Sequence, residues 1–334
     1  MPAPILIVGQ GLAGSLLAWE FERAGIDFEV VDRGHAEAAS RVGAGIINPV
    51  TGRRLVKSWR VDALLAPALA VYREMEAALG ARLVRPMRVR RFFADEREQR
   101  IFGEKSAAGE LAPYVPPAGG DGEGFWIEGA AQVDTAALIR GMRARLLRAG
   151  RLREETFDPG GREPRRERDL TILCAGAAST PERDFGFARL RPAKGEMLTI
   201  ETNGLDRETI LNDGHWLLPL SATRAKVGAT FEPGVADRAV SEAARKRLRE
   251  SAARMLGRAF SVVDQEAGVR VTTADKHPVV GRAPGNPQVG IFNGLGSKGA
   301  LLAPGLARQW VNHLTEGVPF DAAVDVARFV VPGG

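Results

Sequence analysis

One cysteine, Cys174, stands in a chain of 334 residues. A single thiol excludes an intramolecular disulfide and any cysteine-based zinc cluster, which fits a reducing compartment. Cys174 lies in the apolar run "LTILCAG" and is expected to be a buried small hydrophobe. Long hydrophobic runs are missing too: no apolar stretch reaches the roughly 20 residues a membrane span needs. The first residues pass almost directly into an apolar strand, without a basic leader or a cleavage signature. A cytoplasmic protein with no membrane partner is therefore expected. Histidine is scarce, at four residues, and His215 and His277 have no metal-ligand spacing, so no metal site is expected. Repeats, low-complexity tracts and long linkers are absent as well.

The balance of the composition is ordinary, with 45% hydrophobic and 26% charged residues and a formal net charge of +5. That suffices for two domains or one elaborated domain. The basic residues are scattered. "RPMRVRRFF" alternates basic and apolar residues as a strand with one wet face would, and "PRRERD" mixes signs like a solvated turn. Without a concentrated basic or aromatic stripe, nucleic acid is not an expected partner, while the general positive potential favours anionic ligands.

The informative stretch is "ILIVGQGLAGS". Four aliphatic residues, Ile5 to Val8, lead into Gly9, Gly11, Leu12, Ala13 and Gly14, after which apolar residues continue with helical spacing. In a Rossmann unit the first glycine allows the turn, the second admits a pyrophosphate and the third lets helix and strand pack closely. The anion then sits on the helix N-terminus. A second strand, "DFEVVD", ends at Asp32 and Arg33, where an acid contacts the adenosine ribose.

Further along, a helix is expected near Leu64 to Leu79. Only short strands separated by glycine and proline are expected from Ala81 to Ile127. A helix then follows an Asp134 cap, with Ala137, Leu138, Met142, Leu146 and Leu147 on its apolar stripe. "DLTILCAG" reads as a buried parallel strand, Arg189 to Glu232 as extended segments, and Ala239 to Ala259 as a polar helix. A nucleotide-binding α/β domain interrupted twice by antiparallel material accounts for this order better than two contiguous domains.

In order, "GQGLAGSLLAWE", "GAGIINP", "ILCAGA", "KGEMLTI", "VGATFE" and "VVGRAP…FNGLGSKGALLAPGLA" resemble the D-amino-acid oxidase and glycine/sarcosine oxidase family of FAD-dependent enzymes. The resemblance covers essentially the whole chain. It implies a mixed α/β fold with a Rossmann-like FAD-binding domain of the glutathione-reductase type, residues 1–65, 129–186 and 262–334. A mostly antiparallel β-sheet substrate domain, residues 66–128 and 187–261, would cover the isoalloxazine ring.

Carried over site by site, the resemblance places Gly9, Gly11 and Gly14 at the pyrophosphate and Asp32 at the ribose. Arg41 matches a pyrophosphate-contacting position. Ala44, Gly45 and Ile46 match the turn passing the flavin, Val133 a backbone contact to adenine, and Ala175 and Gly176 the closing turn. Gly294, Gly296, Ser297, Lys298, Gly299, Ala300 and Leu301 would form the loop and helix start at the pyrimidine end. There, backbone N–H groups and Lys298 would stabilise reduced, anionic flavin; the alternative for Lys298 is a solvated helix-start lysine. Lys226 matches a lysine that promotes the reaction with oxygen, the alternative being a strand lysine facing water.

Departures from the family pattern shape the rest of the expectation. The carboxylate-gripping arginine is replaced by Ser297, and Arg270 stands where the sarcosine branch has its covalent-flavin cysteine, so the FAD is expected to be non-covalent. Arg53 and Arg54 become the candidate substrate anchors, with a surface role as the alternative, and Asn48 shares their segment. Trp216 could wall the substrate cavity or belong to the core. An oxidase of a small amine or amino acid with oxygen as acceptor is expected. The alternatives are an FAD enzyme acting on an RNA-linked amine, as in the wobble-uridine modifying oxidase, and a flavin dehydrogenase or non-catalytic nucleotide-binding protein.

Overall fold

The computed structural model describes residues 4–34, 38–117, 119–157, 170–177 and 185–330. The N-terminal apolar run forms β1 (Ile5–Val8), the glycine turn opens α1 (Leu12–Arg23), and β2 (Phe28–Val31) follows in parallel with β1, Ile5 opposite Phe28. Beyond β2 lies β8 (Leu152–Arg153). On the other side of β1 stand β9 (Thr171–Leu173) and then β17 (Asn286–Asn293), all parallel, with β16 (Val279–Ala283) antiparallel at the edge. Strands buried on both faces need continuous apolar runs; Leu6, Ile7 and Val8 are all buried.

Four helices pack together beside this sheet. α1 packs on α7 (Gly299–Glu316), α7 also on α3 (Val61–Leu79), and α5 (Thr135–Arg148) on α1. Their apolar stripes, including Leu16, Phe21, Tyr72, Leu138, Met142 and Trp310, meet in the largest core. α5 starts as the sequence predicts: the Asp134 carboxylate accepts a hydrogen bond from the Ala137 amide at 2.8 Å, satisfying a first-turn donor, while Leu147, expected on the stripe, is exposed in the last turn.

A nine-stranded sheet is built around β10 (Arg191–Glu201). One edge of β10 pairs along its whole length with β15 (Ser261–Thr272), the other with β13 (Arg224–Gly228) and β14 (Glu232–Pro233). From β13 the order continues through β12 (Trp216–Pro219), β11 (Thr209–Asn212), β6 (Val84–Phe92), β7 (Gly124–Val133) and β3 (Ile46–Ile47). β6 and β11 are parallel and the remaining neighbours antiparallel. α6 (Glu242–Leu256) covers the outer face, setting Leu248, Ala252 and Met255 on Leu198, Ile200, Leu217 and Val227.

The chain is of the mixed α/β class expected, with two corrections in detail. Residues 96–107, expected to lie among short strands, form α4 (Glu96–Ala107). That helix is polar, so no apolar stripe announced it; its signal was the cap, Asp95, whose carboxylate accepts from the Glu98 amide at 2.8 Å. Domain boundaries at 65, 129 and 262 do not coincide with the sheets. β3 and β15, assigned to the nucleotide-binding segments, are hydrogen-bonded into the second sheet, and β7 runs across residue 129. A strand's sheet is settled by its partner, and partners distant in sequence leave no local mark. Two short pieces remain, α2 (Ala39–Val42) and the hairpin of β4 (Val50–Thr51) and β5 (Val56–Lys57). No helix among the described residues is long and apolar enough to cross a membrane.

Candidate active site

Gly9 adopts a φ of +97°, and a Cβ there would lie 2.7 Å from the Cys174 carbonyl oxygen. At Gly14 a Cβ would meet the Gly9 oxygen at 1.9 Å, so α1 can seat against the turn only without a side chain there. Gly11 differs: its Cβ would have only Ser40 Oγ within 4 Å, at 3.8 Å. The bare side of Gly11 faces a cavity of about 460 Å³. Two glycines thus serve packing and one leaves room for a ligand. Leu12 and Ala13 line the same cavity, and the Leu12 amide donates to Ser40 Oγ at 3.3 Å.

Asp32 and Arg33 line the cavity. The Asp32 carboxylate accepts from the Gln10 amide at 2.7 Å, the Gly34 amide at 2.9 Å and Arg143 Nη1 at 3.1 Å. Arg143, on α5, also donates to the Gln10 side chain at 3.2 Å and reaches Glu154 at 2.7 Å, while buried Gln10 donates to Ser15 Oγ and the Ile139 carbonyl. The predicted ribose acid is therefore held in place by side chains that sequence reasoning missed. A signal existed: Arg143 interrupts the buried face of α5 made by Ile139, Met142 and Leu146.

Ala175 and Gly176 line the cavity, and the Gly176 carbonyl accepts from Asn293 Nδ2 at 3.0 Å. Thr156, Phe157 and Arg270 line it as well, although none was expected to do so. Val133 does not. It is fully buried in β7, its amide donates to Gly45 at 2.9 Å, and a Cβ on Gly45 would lie 1.8 Å from its carbonyl oxygen. That backbone is spent on closing the Gly45 turn, and Thr156 and Phe157 line the cavity instead. Ile46 pairs with Gln132, and Ala44 packs on the main core. Arg41 is an exposed residue of α2.

Of the loop before α7, Gly296 lines the cavity and its amide donates to the Val271 carbonyl at 2.8 Å. Gly294 has a φ of +72° and Ser297 is exposed. Gly299, Ala300 and Leu301 are buried in the first turn of α7, where the Ala300 carbonyl accepts from Tyr72 Oη at 2.8 Å. Lys298, the cap residue, turns its ammonium to the small hairpin, donating to Thr51 Oγ1 at 3.3 Å and Ser58 Oγ at 3.2 Å. Burial without a carboxylate pushes its pKa below the usual lysine value.

Lys226, on β13, donates to the Val42 carbonyl at 3.0 Å and to Glu266 at 3.2 Å. It is thus set beside the turn at residues 43–46, and the reading of a strand lysine facing water is replaced by that of a tethered, mostly buried one. Arg53 and Arg54 stand exposed at the tip of the β4–β5 hairpin, Arg53 at 2.5 Å from Asp95. Neither lines the cavity; both sit in a two-stranded hairpin that is hydrogen-bonded into neither large sheet. Asn48 stabilises the hairpin, its Oδ1 accepting from the Val50 amide at 3.2 Å and its carbonyl from Ser58 Oγ at 2.7 Å. Trp216 packs on the core and against Gly228, whose Cβ would lie 2.7 Å from its ring.

The cavity is lined by a carboxylate, an open glycine at a helix N-terminus, an arginine and a second glycine loop, a set that fits a dinucleotide such as FAD. Residues 4–312 match the DAO family, described as FAD dependent oxidoreductase. The chain is 32% identical over 333 residues to the tRNA 5-methylaminomethyl-2-thiouridine biosynthesis bifunctional protein MnmC of Maricaulis maris, covering 95% of this chain and 52% of that one. It therefore spans about half the length of that relative. With glycine oxidase of Pseudomonas aeruginosa it shares 26% identity over the whole of both chains. Among solved structures, iminodiacetate oxidase from a Chelativorans species superposes with a TM-score of 0.77 at 22% identity, over 96% of this chain and 98% of that one. Glycine oxidase of Geobacillus kaustophilus gives 0.76 at 22%, over 99% and 98%. The chain belongs to the DAO family of FAD-dependent oxidoreductases.

Proposed function

We propose that this protein oxidises the C–N bond of a small amine or amino acid to an imine that water then hydrolyses, with oxygen as the acceptor that closes the cycle. The observation that carries this reading is the shared cavity: the nucleotide-binding sheet supplies one wall, and β15 of the second sheet supplies another. Bound FAD supplies the two-electron acceptor for hydride from the carbon beside a neutral amine. Asp32, held by Arg143, orients the adenosine end, and the first turn of α1 faces the diphosphate. Lys226 stands beside the flavin-passing turn, where a cation stabilises superoxide as it forms. Similarity to glycine oxidase along the whole chain supports a small amino-acid substrate. No covalent link to the flavin is proposed, since Arg270 occupies the position of the linking cysteine.

The test is an anaerobic titration of the purified protein with glycine, sarcosine, D- and L-amino acids and simple amines, following the visible flavin band. Bleaching by one compound, reversed by oxygen, is the expected result. A flavin-loaded protein that no amine bleaches overturns the reading.

A second reading, an amine carried on RNA, is favoured by one specific observation besides the Maricaulis relative. Arg82, Arg85, Arg88 and Arg207 surround a surface depression of about 530 Å³, with Glu128 and Glu208 as the acids there. Burial, with Arg207 and Arg82 nearby, pushes the Arg85 guanidinium below its usual value. Phosphate contacts are salt-dependent, so a gel shift with tRNA at low salt decides this reading, and no shift removes it.

A further inference from the structure

Three arginines of the second sheet gather without an acid to hold them. Arg82 precedes β6, Arg85 lies on it, and Arg207 stands in the loop ahead of β11, the strand that pairs in parallel with β6. With Arg88 they line a depression of about 530 Å³ that shares no residue with the dinucleotide cavity. Pro86 and Met87 add an apolar part to its wall.

Of the four arginines, Arg88 is accounted for within the protein. Its Nε donates to Thr209 Oγ1 at 3.1 Å, its Nη2 lies 3.7 Å from Asp206, and its Cζ lies 4.3 Å from the Trp126 ring centre. Arg85 donates from Nη2 to the Pro219 carbonyl at 2.5 Å, and its buried Nε has no partner among the described residues. Among those residues Arg82, Arg85 and Arg207 form no ion pair. Glu128 and Glu208 stand exposed at the same depression and pair with none of them. Asp134, whose field reaches Arg85, is engaged in capping α5.

Like charges repel most where water is scarce, and Arg207 and Arg82 both act on half-buried Arg85. An anion relieves that repulsion. A guanidinium presents a planar fork of donors that matches phosphate oxygens, and three forks around one hollow suit a tetrahedral anion. The volume is that of a small-molecule site, larger than the anion alone requires.

We propose that this depression binds a phosphate ester, its phosphate held by Arg82, Arg85 and Arg207 and its organic part set against Pro86 and Met87. The proposal rests on neither reading of the reaction. The ester is either a small sugar phosphate or one nucleotide unit of an RNA, and the test separates the two.

Calorimetry on protein supplied with excess FAD, which fills the dinucleotide cavity, compares ribose 5-phosphate, ribose and a hexauridylate without terminal phosphates. Ribose 5-phosphate is expected to bind and ribose is not. Arg82→Gln and Arg207→Gln, both at exposed positions, should each weaken binding about tenfold, and Arg85→Gln, which keeps a donor for Pro219, by up to about a hundredfold. Glu208→Gln removes an opposing acid and should tighten binding by up to about fivefold, a gain that a damaged fold does not imitate. Tighter binding of ribose 5-phosphate than of hexauridylate assigns a small phosphate ester. The reverse order, with the same dependence on the three arginines, assigns RNA. Failure of both to bind, or affinities that none of the four substitutions changes, overturns the proposal. Protein that takes up no FAD would overturn the reading of the cavity and leave this test standing, since the two sites share no residue.

Discussion

Lys226 and Glu266 lie 3.2 Å apart, so the lysine's field at the turn of residues 43–46 is partly cancelled by its own partner. A cation in a water-poor site stabilises a developing anion. Lys226→Met is expected to slow flavin reoxidation by about a hundredfold, and Glu266→Gln, which leaves the lysine unopposed, to speed it. Stopped-flow mixing of reduced protein with oxygen reads both, and equal rates in all three proteins would remove Lys226 from the oxygen step. Lys298 presents the opposite balance. Its half-buried ammonium has, among the described residues, hydroxyl partners only, and its depressed pKa means that the folded protein binds this proton less readily than the unfolded chain. The charge therefore costs stability at neutral pH, a cost that fades as pH rises towards the unfolded value of about 10.4. Lys298→Met should melt at the same temperature as wild type or higher at pH 7, with the gap closing by about pH 10. A lower melting temperature would show that the hydroxyl contacts outweigh the charge.

At the scale of elements, the joint between β1 and α1 depends on the absence of a side chain. A Cβ at Gly14 would lie 1.9 Å from the Gly9 oxygen, so Gly14→Ala must shift the helix or the turn. Overpacking of this kind costs about 1–3 kcal/mol. Denaturant unfolding should show the loss and FAD affinity should fall with it, whereas Gly11→Ala, with open space, should lose affinity with little loss of stability. The turn between α4 and β7 is fixed by charge. The Arg90 guanidinium at 2.7 Å, with amides of Glu123 and Gly124, lowers the Asp121 carboxyl to about 2. A depressed acid stabilises the fold above its unfolded pKa, and the contribution disappears as pH falls through the folded value. Between about pH 4 and 2, wild type should therefore lose stability more steeply than Asp121→Asn in acid titrations followed by circular dichroism.

Across the whole molecule, two sheets joined by the largest core share one cavity, lined by β1, β2, β9 and β17 from the first and β15 from the second. A ligand filling it adds contacts to both sheets at once. Ligand bound only by the folded state at a thousand times its dissociation constant adds about 4 kcal/mol. Removing FAD should thus lower the melting temperature of the entire chain in one transition. Two transitions, with only one responding to FAD, would show that the sheets unfold independently.

Local pattern determined much of this protein. The strand, glycine turn and helix from Ile5 to Arg23, the acid ending β2 and the Asp134 cap were all legible, because each rests on spacing and backbone conformation within a few residues. The same applies to the mixed α/β class, which follows from alternating runs. Tertiary structure alone decided which strands share a sheet, since β10 finds β15 about 70 residues away. It also decided that Arg53 and Arg54 stand on an exposed hairpin, that Val133 closes a turn and leaves the cavity to Phe157, and that Arg143 holds Asp32. A side chain's chemistry is written in its letter, but its partner is chosen by how the chain returns, and for Arg270 that return set the guanidinium at the cavity, hydrogen-bonded to the Thr230 carbonyl.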